Sequence, residues 1–159
     1  MSRNKIKASA EAKKVVAEWK SVGNRIVFTN GCFDIVHLGH VDYLERAREY
    51  GDKLIVGINS DTSIKILKGL NRPINNLLSR SRVLASFSFV DLIIPFEDET
   101  PEALISLISP DVLIKGGDYD KTQIAGADHV IKMGGNVETI QLIEGFSTSG
   151  IIDKILNQK

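Results

Sequence analysis

Short apolar runs alternating with helix-patterned stretches constrain this chain's fold more than any other feature. The runs begin at Ile26-Val27-Phe28, Leu54-Ile55-Val56, Leu92-Ile93-Ile94, Val112-Leu113-Ile114 and Val137. Runs this short suit strands, and those apolar at nearly every position suit strands buried on both faces. The spacing predicts strands over 25–29, 53–58, 92–94, 112–115 and 137–140. Between and around them it predicts helices over 9–22, 39–49, 60–67, 79–87, 100–108, 126–133 and 147–156. Ser9, the segment Asn59-Ser60-Asp61, and Ser147 or Thr148 serve as caps, Gly23 and Gly51 as stops, and Pro101 sits in a first turn. Alternating buried strands and helices imply an α/β fold, a parallel sheet of about five strands with helices on both faces.

A chain of 159 residues fits a single domain. We expect residues 1–24 as an N-terminal helical extension and 25–159 as the domain that carries function. In such sheets ligands bind beyond the carboxyl ends of the strands. Segments starting at Thr29, Asn59, Gly116 and Glu144 all follow strands, so the topology gathers them along one rim.

Charge narrows the partners. Lysine plus arginine and aspartate plus glutamate number 20 each, and without a basic excess we expect no nucleic-acid partner. The lone Cys32 forms no internal disulfide. No apolar h-region follows Met1, and no apolar stretch nears ~20 residues, so a cytoplasmic protein without a membrane partner is expected.

The chemistry concentrates in Thr29-Asn30-Gly31-Cys32-Phe33-Asp34-Ile35-Val36-His37-Leu38-Gly39-His40. A glycine-bearing turn from a strand to a helix start aims backbone N–H groups at phosphate oxygens. Two imidazoles three residues apart reach the same phosphate, and Gly39 between them lets it come close to the backbone. A zinc site needs further ligands, and of the remaining histidines only His129 is left, in an ordinary helix; no metal ligands are assigned. Thr29 and Asn30 either donate to phosphate or cap the turn. Asp34 either orients a histidine or a magnesium shell, or braces the loop. Phe33 suits packing more than contact. Lys68, in a basic loop with Gly69 and Arg72, is either a solvated lysine or one that closes on a triphosphate once substrate is bound. Gly117 allows close approach of a ligand, Asp118 offers a carboxylate to a ribose hydroxyl or base amine, and the helix start at Ser147-Thr148-Ser149 offers a second phosphate site. No activated nucleophile is evident, which favours direct in-line attack by a second substrate.

The pattern Asn30-Gly31-x-Phe33-Asp34-x-x-His37-x-Gly39-His40, then Gly57-Ile58-Asn59-Ser60-Asp61, Lys115-Gly116-Gly117-Asp118-Tyr119 and Glu144-Gly145-Phe146-Ser147-Thr148, closely resembles the cytidylyltransferase-like nucleotidyltransferases. Within that superfamily the Lys-Gly-Gly-Asp-Tyr run and Asn71-Arg72-Pro73-Ile74-Asn75 are similar to the heptose 1-phosphate adenylyltransferases. The resemblance implies a Rossmann-like fold and transfer of AMP from ATP, with Mg²⁺, to a sugar 1-phosphate (D-glycero-D-manno-heptose 1-phosphate). The products are ADP-heptose, a lipopolysaccharide core precursor, and pyrophosphate. It implies catalytic roles for His37, His40 and Lys68. It implies nucleotide contacts from Thr29, Asn30, Gly31, Phe33, Asp34, Gly39, Gly117, Asp118, Phe146, Ser147 and Thr148, and acceptor contacts from Asn59, Asp61 and Arg72. A homodimer is the family's habit. Relatives often carry a fused sugar kinase, for which this chain is too short, so a separate kinase is expected. They often place an acidic residue before the arginine matching Arg80, where this chain has Ser79. The rival readings are a glycerol 3-phosphate cytidylyltransferase or other superfamily member, and a non-catalytic nucleotide-binding module. A dinucleotide oxidoreductase lacks its Gly-x-Gly-x-x-Gly here.

Overall fold

The computed structural model describes residues 2–117 and 120–158. Five strands form one sheet: β1 (Ile26–Gly31), β2 (Lys53–Asn59), β3 (Leu92–Phe96), β4 (Val112–Gly116) and β5 (Asn136–Ile140). All neighbours are parallel and the spatial order is β3-β2-β1-β4-β5. The helices are α1 (Ser9–Ser21), α2 (Leu38–Arg48), α3 (Asp61–Lys68), α4 (Leu77–Ala85), α5 (Glu102–Ile108), α6 (Ala127–Lys132) and α7 (Thr148–Leu156). The expected α/β fold is therefore present, with helices on both faces.

Strand alternation divides the core in two. Phe28, Ile55, Ile94 and Leu113 pack with Ala12 and Val16 of α1, Leu104 and Ile105 of α5, and Val130 of α6. Val27, Leu54, Val56, Ile93 and Ile114 pack with Tyr43 and Leu44 of α2 and Leu84 of α4. Both faces are covered, which is why the strands read as near-continuous apolar runs. The N-terminal helix belongs to the first of these cores, with Ala12 fully buried.

Element limits differ from the expected ones where capping decides. Ser9 is the first helical residue of α1, and the cap position falls on Ala8. α4 starts at Leu77 because the side chain of Asn76 accepts from the Ser79 N–H. Ser60 caps α3 and Ser147 caps α7. β1 runs on to Gly31, held by its ladder to β2 through Gly31 and Ile58.

The two ends of the sheet differ in chemistry. At the amino ends, carboxylates of Asp52, Asp91 and Asp111 accept the N–H groups of Arg25, Leu54 and Ile26 at 2.7–2.8 Å. At the carboxyl ends the sheet opens. β1 pairs with β2 over six residues, yet its ladder to β4 stops after Val27–Val112 and Phe28–Leu113. Beyond that point β1 and β4 part. The gap lies where the strand order reverses direction, the place at which doubly wound sheets bind ligands.

Candidate active site

Tyr43 spans the gap. Its hydroxyl donates to the Ile114 carbonyl at 3.2 Å and lies 2.7 Å from Thr29 Oγ1. Tyr43 has one hydroxyl proton, so Thr29 donates to Tyr43 and Tyr43 to Ile114. Thr29 is fully buried. Its hydroxyl ties the floor of the gap to α2, the turn-bracing role of the two considered for it.

Above that floor stand the histidines. His37 is the cap residue of α2 and gives the helix no side-chain cap, so the helix's positive end stays open to an anion. Its ring stacks on His40 with centroids 3.8 Å apart and planes 20° from parallel. Phe33 meets His40 edge-on at 5.1 Å, and Phe146 lies 6.4 Å from His37 on the other side. The Nδ1 atoms of both histidines are buried and lack a hydrogen-bond partner among the described residues. Burial lowers the pKa of His37, and burial with the neighbouring His37 charge pushes His40 down to about 4. Both rings are thus neutral near pH 7 and present hydrogen-bond donors rather than charge.

Gly39 makes the stack fit. A Cβ there would lie 3.2 Å from the His37 ring and 3.2 Å from Phe146 Cβ. Phe33 holds a left-handed backbone, φ 47°, with its ring 5% exposed. Such a conformation costs about 1–3 kcal/mol in a non-glycine residue and persists where packing over-determines it. Phe33 is therefore a packing residue that positions His40, and Gly31 leaves the space its ring occupies.

Asp34 braces a loop. Arg72 Nε donates to its Oδ2 at 2.6 Å, the Ile74 N–H to Oδ2 at 2.9 Å and the Asn75 N–H to Oδ1 at 2.8 Å. Burial pushes the Asp34 carboxyl up, but these donors outweigh it and hold the carboxyl below the usual carboxylate range. With both oxygens engaged, the Asp34 carboxylate braces this loop, and Arg72 spends its Nε on it.

Arg80 is the residue whose role sequence reasoning missed. It is 1% exposed. Its guanidinium donates to the carbonyls of Asn75, Cys32 and Asn59 and to Asp61 Oδ1, at 2.7–3.0 Å. One buried cation thus ties the ends of β1 and β2, the start of α3 and the loop before α4. Asn59, 3% exposed, also donates from its side chain to Ser63 Oγ. Asn59 and Asp61, expected at the acceptor, take part in this hub.

The remaining candidates keep a path to the rim. Asn30 is half-buried and its Oδ1 accepts from Lys115 Nζ at 3.3 Å. Lys68 ends α3 exposed, followed by Gly69 at φ 96°. Gly117 adopts φ 104°, a left-handed conformation that favours glycine, with its N–H bonded to the Ile140 carbonyl. Asp118 lies outside the described residues. Ser147 Oγ accepts from the Gly150 N–H, and Thr148 Oγ1 donates to the Ile35 carbonyl at 3.4 Å, docking the start of α7 beside the histidine turn. A polar groove of about 550 Å³, lined by Lys20, Asn24, Arg25, Asp111 and Asn136, lies at the opposite end of the sheet. No group of three metal-ligating side chains occurs among the described residues, and no described helix is long and apolar enough to cross a membrane.

An open parallel sheet with paired histidines and an uncapped helix start at its switch point defines an α/β nucleotide-binding protein. More narrowly, the chain belongs to the cytidylyltransferase-like family, whose model it matches over residues 28–153. It is 53% identical over 154 residues to the bifunctional protein HldE of Pasteurella multocida (strain Pm70), covering 97% of this chain and 32% of that one. It is 51% identical over 142 residues to the bifunctional protein HldE of Coxiella burnetii (strain Dugway 5J108-111), covering 89% of this chain and 30% of that one. The chain thus spans about a third of the length of these relatives. Among solved structures it resembles the lipopolysaccharide core biosynthesis protein from Thermoplasma volcanium GSS1, with TM-score 0.62 and 27% identity over 76% of this chain and 98% of that one.

Proposed function

We propose that this chain transfers AMP from ATP to a sugar 1-phosphate, D-glycero-D-manno-heptose 1-phosphate, yielding ADP-heptose and pyrophosphate. The observation that carries the chemistry is the stacked His37–His40 pair at the uncapped start of α2, over the gap between β1 and β4. The acceptor is inferred from the heptose-type motifs, from the identity to HldE proteins and from the likeness to a lipopolysaccharide core biosynthesis protein. A phosphorylating reaction must supply the sugar phosphate.

In this reading the α-phosphate of ATP sits against the α2 start and the two imidazoles. A phosphate oxygen of the acceptor attacks Pα. The bond from Pα to the bridging oxygen breaks, and pyrophosphate leaves with the electron pair. The neutral imidazoles donate hydrogen bonds to oxygens whose charge grows as the bond breaks, and each such donor is worth ~10²–10³ in rate. Lys68 brings its charge to the outer phosphates from the end of α3. Bound with the nucleotide, Mg²⁺ would offset charge on the phosphates; Asp34, with both oxygens engaged, would not ligate it.

The test is a pyrophosphate-release assay crossing ATP, CTP and GTP with sugar and polyol phosphates. ATP with the heptose 1-phosphate should give the highest kcat/KM. A preference for CTP with glycerol 3-phosphate would replace this reading.

A further inference from the structure

Lys115, next to last in β4, puts a cation after three buried apolar residues. Leu113 faces α1 and α5, and Ile114 faces α2 and α4. Alternation therefore turns Lys115 toward the α1–α5 face, opposite the histidines. Asn30 has the same parity as Phe28 on β1, and its Oδ1 receives Lys115 Nζ at 3.3 Å. The two side chains meet across the mouth of the gap, beyond the last β1–β4 pair.

Cys32 lies in the fields of Lys68, Arg80 and Arg72, with Asp34 acting the other way, and Lys115 lies close enough to Cys32 to feel it. Arg72 and Arg80 are paired with Asp34 and Asp61. Burial lowers the Lys115 pKa, with Cys32 acting the other way. Among the described residues Lys115 has a neutral amide as partner and no ion pair. A half-buried ammonium with so little compensation favours an arriving anion.

We propose that Lys115, with Asn30, holds the phosphate of the acceptor substrate on the side of the gap opposite the paired histidines. This rests on the transfer reaction proposed above. The attacking oxygen belongs to one anion and must approach another, so a cation between them offsets the repulsion. Histidines on one side and Lys115 on the other place the leaving pyrophosphate and the attacking oxygen on opposite sides of Pα, as in-line displacement requires.

The experiment uses Lys115→Met and Lys115→Arg. Steady-state kinetics with ATP and heptose 1-phosphate should show acceptor KM raised about 10- to 100-fold in Lys115→Met, the scale of losing a hydrogen bond to a charged group. ATP KM should stay unchanged, and Lys115→Arg should recover most of the loss. Calorimetric titration with inorganic phosphate should show binding to the wild-type chain that weakens in Lys115→Met. A raised ATP KM with an unchanged acceptor KM would assign Lys115 to the nucleotide and overturn the proposal. If the wild-type chain turns over no sugar phosphate, the transfer reading fails, and the titration still decides Lys115's part: weaker phosphate binding in Lys115→Met upholds an anion grip, and equal binding rejects it.

Discussion

His37 and His40 stack ring on ring at 3.8 Å, too close for both to carry charge at modest cost. The chain meets this by keeping them neutral: burial lowers both, and His40 lies near 4. Neutral rings retain an N–H each, which is what an electron-rich phosphate in transit requires.

This geometry makes stability depend on pH. An unfolded histidine titrates near 6.5, whereas folded His40 does so at about 4. Between those values the unfolded chain binds more protons, so stability from His40 is complete above the unfolded value and is lost as pH falls toward the folded one. The Tm of the wild-type chain should fall between about pH 7.5 and pH 5, and fall less in His40→Gln. Equal slopes for the two proteins would contradict the buried neutral state.

Arg80 should matter for folding more than for chemistry. Removing it strands three carbonyls in a buried site and leaves the partly exposed Asp61 without its partner. Arg80→Met should cost about 3–5 kcal/mol, from buried carbonyls left unsatisfied at ~1–3 kcal/mol each. Urea denaturation measures it, and a loss below about 1 kcal/mol, a surface value, would mean the hub contributes little.

Much of this architecture was legible in the sequence, and the parts that were not have physical reasons. The strands showed because burial on both faces leaves little room for polar residues. The histidine turn showed because two imidazoles flanking a glycine at a strand-to-helix junction have few structural uses. The strand order and the β1–β4 gap were hidden, since both depend on pairing between distant segments. Asp34 and Asn59 looked like ligands because polar residues at a rim look alike until their partners are seen. Arg80 showed only as the arginine after Ser79, and Tyr43 not at all, because local patterning does not reveal that a helix position buries a bonded polar group. Lys115 did leave a trace, as a cation ending an apolar strand.

The loop after α3 is tethered at one end only. Arg72 through Asn75 are fastened to Asp34, so the expected closing motion narrows to the stretch around Lys68 and Gly69. Tryptic cleavage after Lys68 should be fast without ligand and slow with saturating ATP and Mg²⁺, and Asp34→Asn should speed it in both states. A rate at Lys68 indifferent to nucleotide would make this an ordinary surface connection.

Direct displacement leaves no covalent trace on the protein. No serine, cysteine or lysine beside a base faces the histidine pair among the described residues, and burial raises the Cys32 thiol pKa, which keeps it protonated. Incubation with α-labelled ATP alone should leave denatured protein unlabelled, and pyrophosphate exchange into ATP should require the acceptor. Exchange without acceptor would reveal an adenylyl-enzyme.

The central claim, that the stacked histidines drive AMP transfer to a sugar 1-phosphate, is tested most directly by following label from α-labelled ATP into product. The wild-type chain should move the label into an ADP-sugar when given heptose 1-phosphate. His37→Ala and His40→Ala should each lower kcat by ~10²-fold or more, the loss expected for one charge-stabilising donor, with a smaller change in ATP KM. Label that stays in ATP for every sugar phosphate offered, or near-wild-type transfer by both variants, would contradict the account.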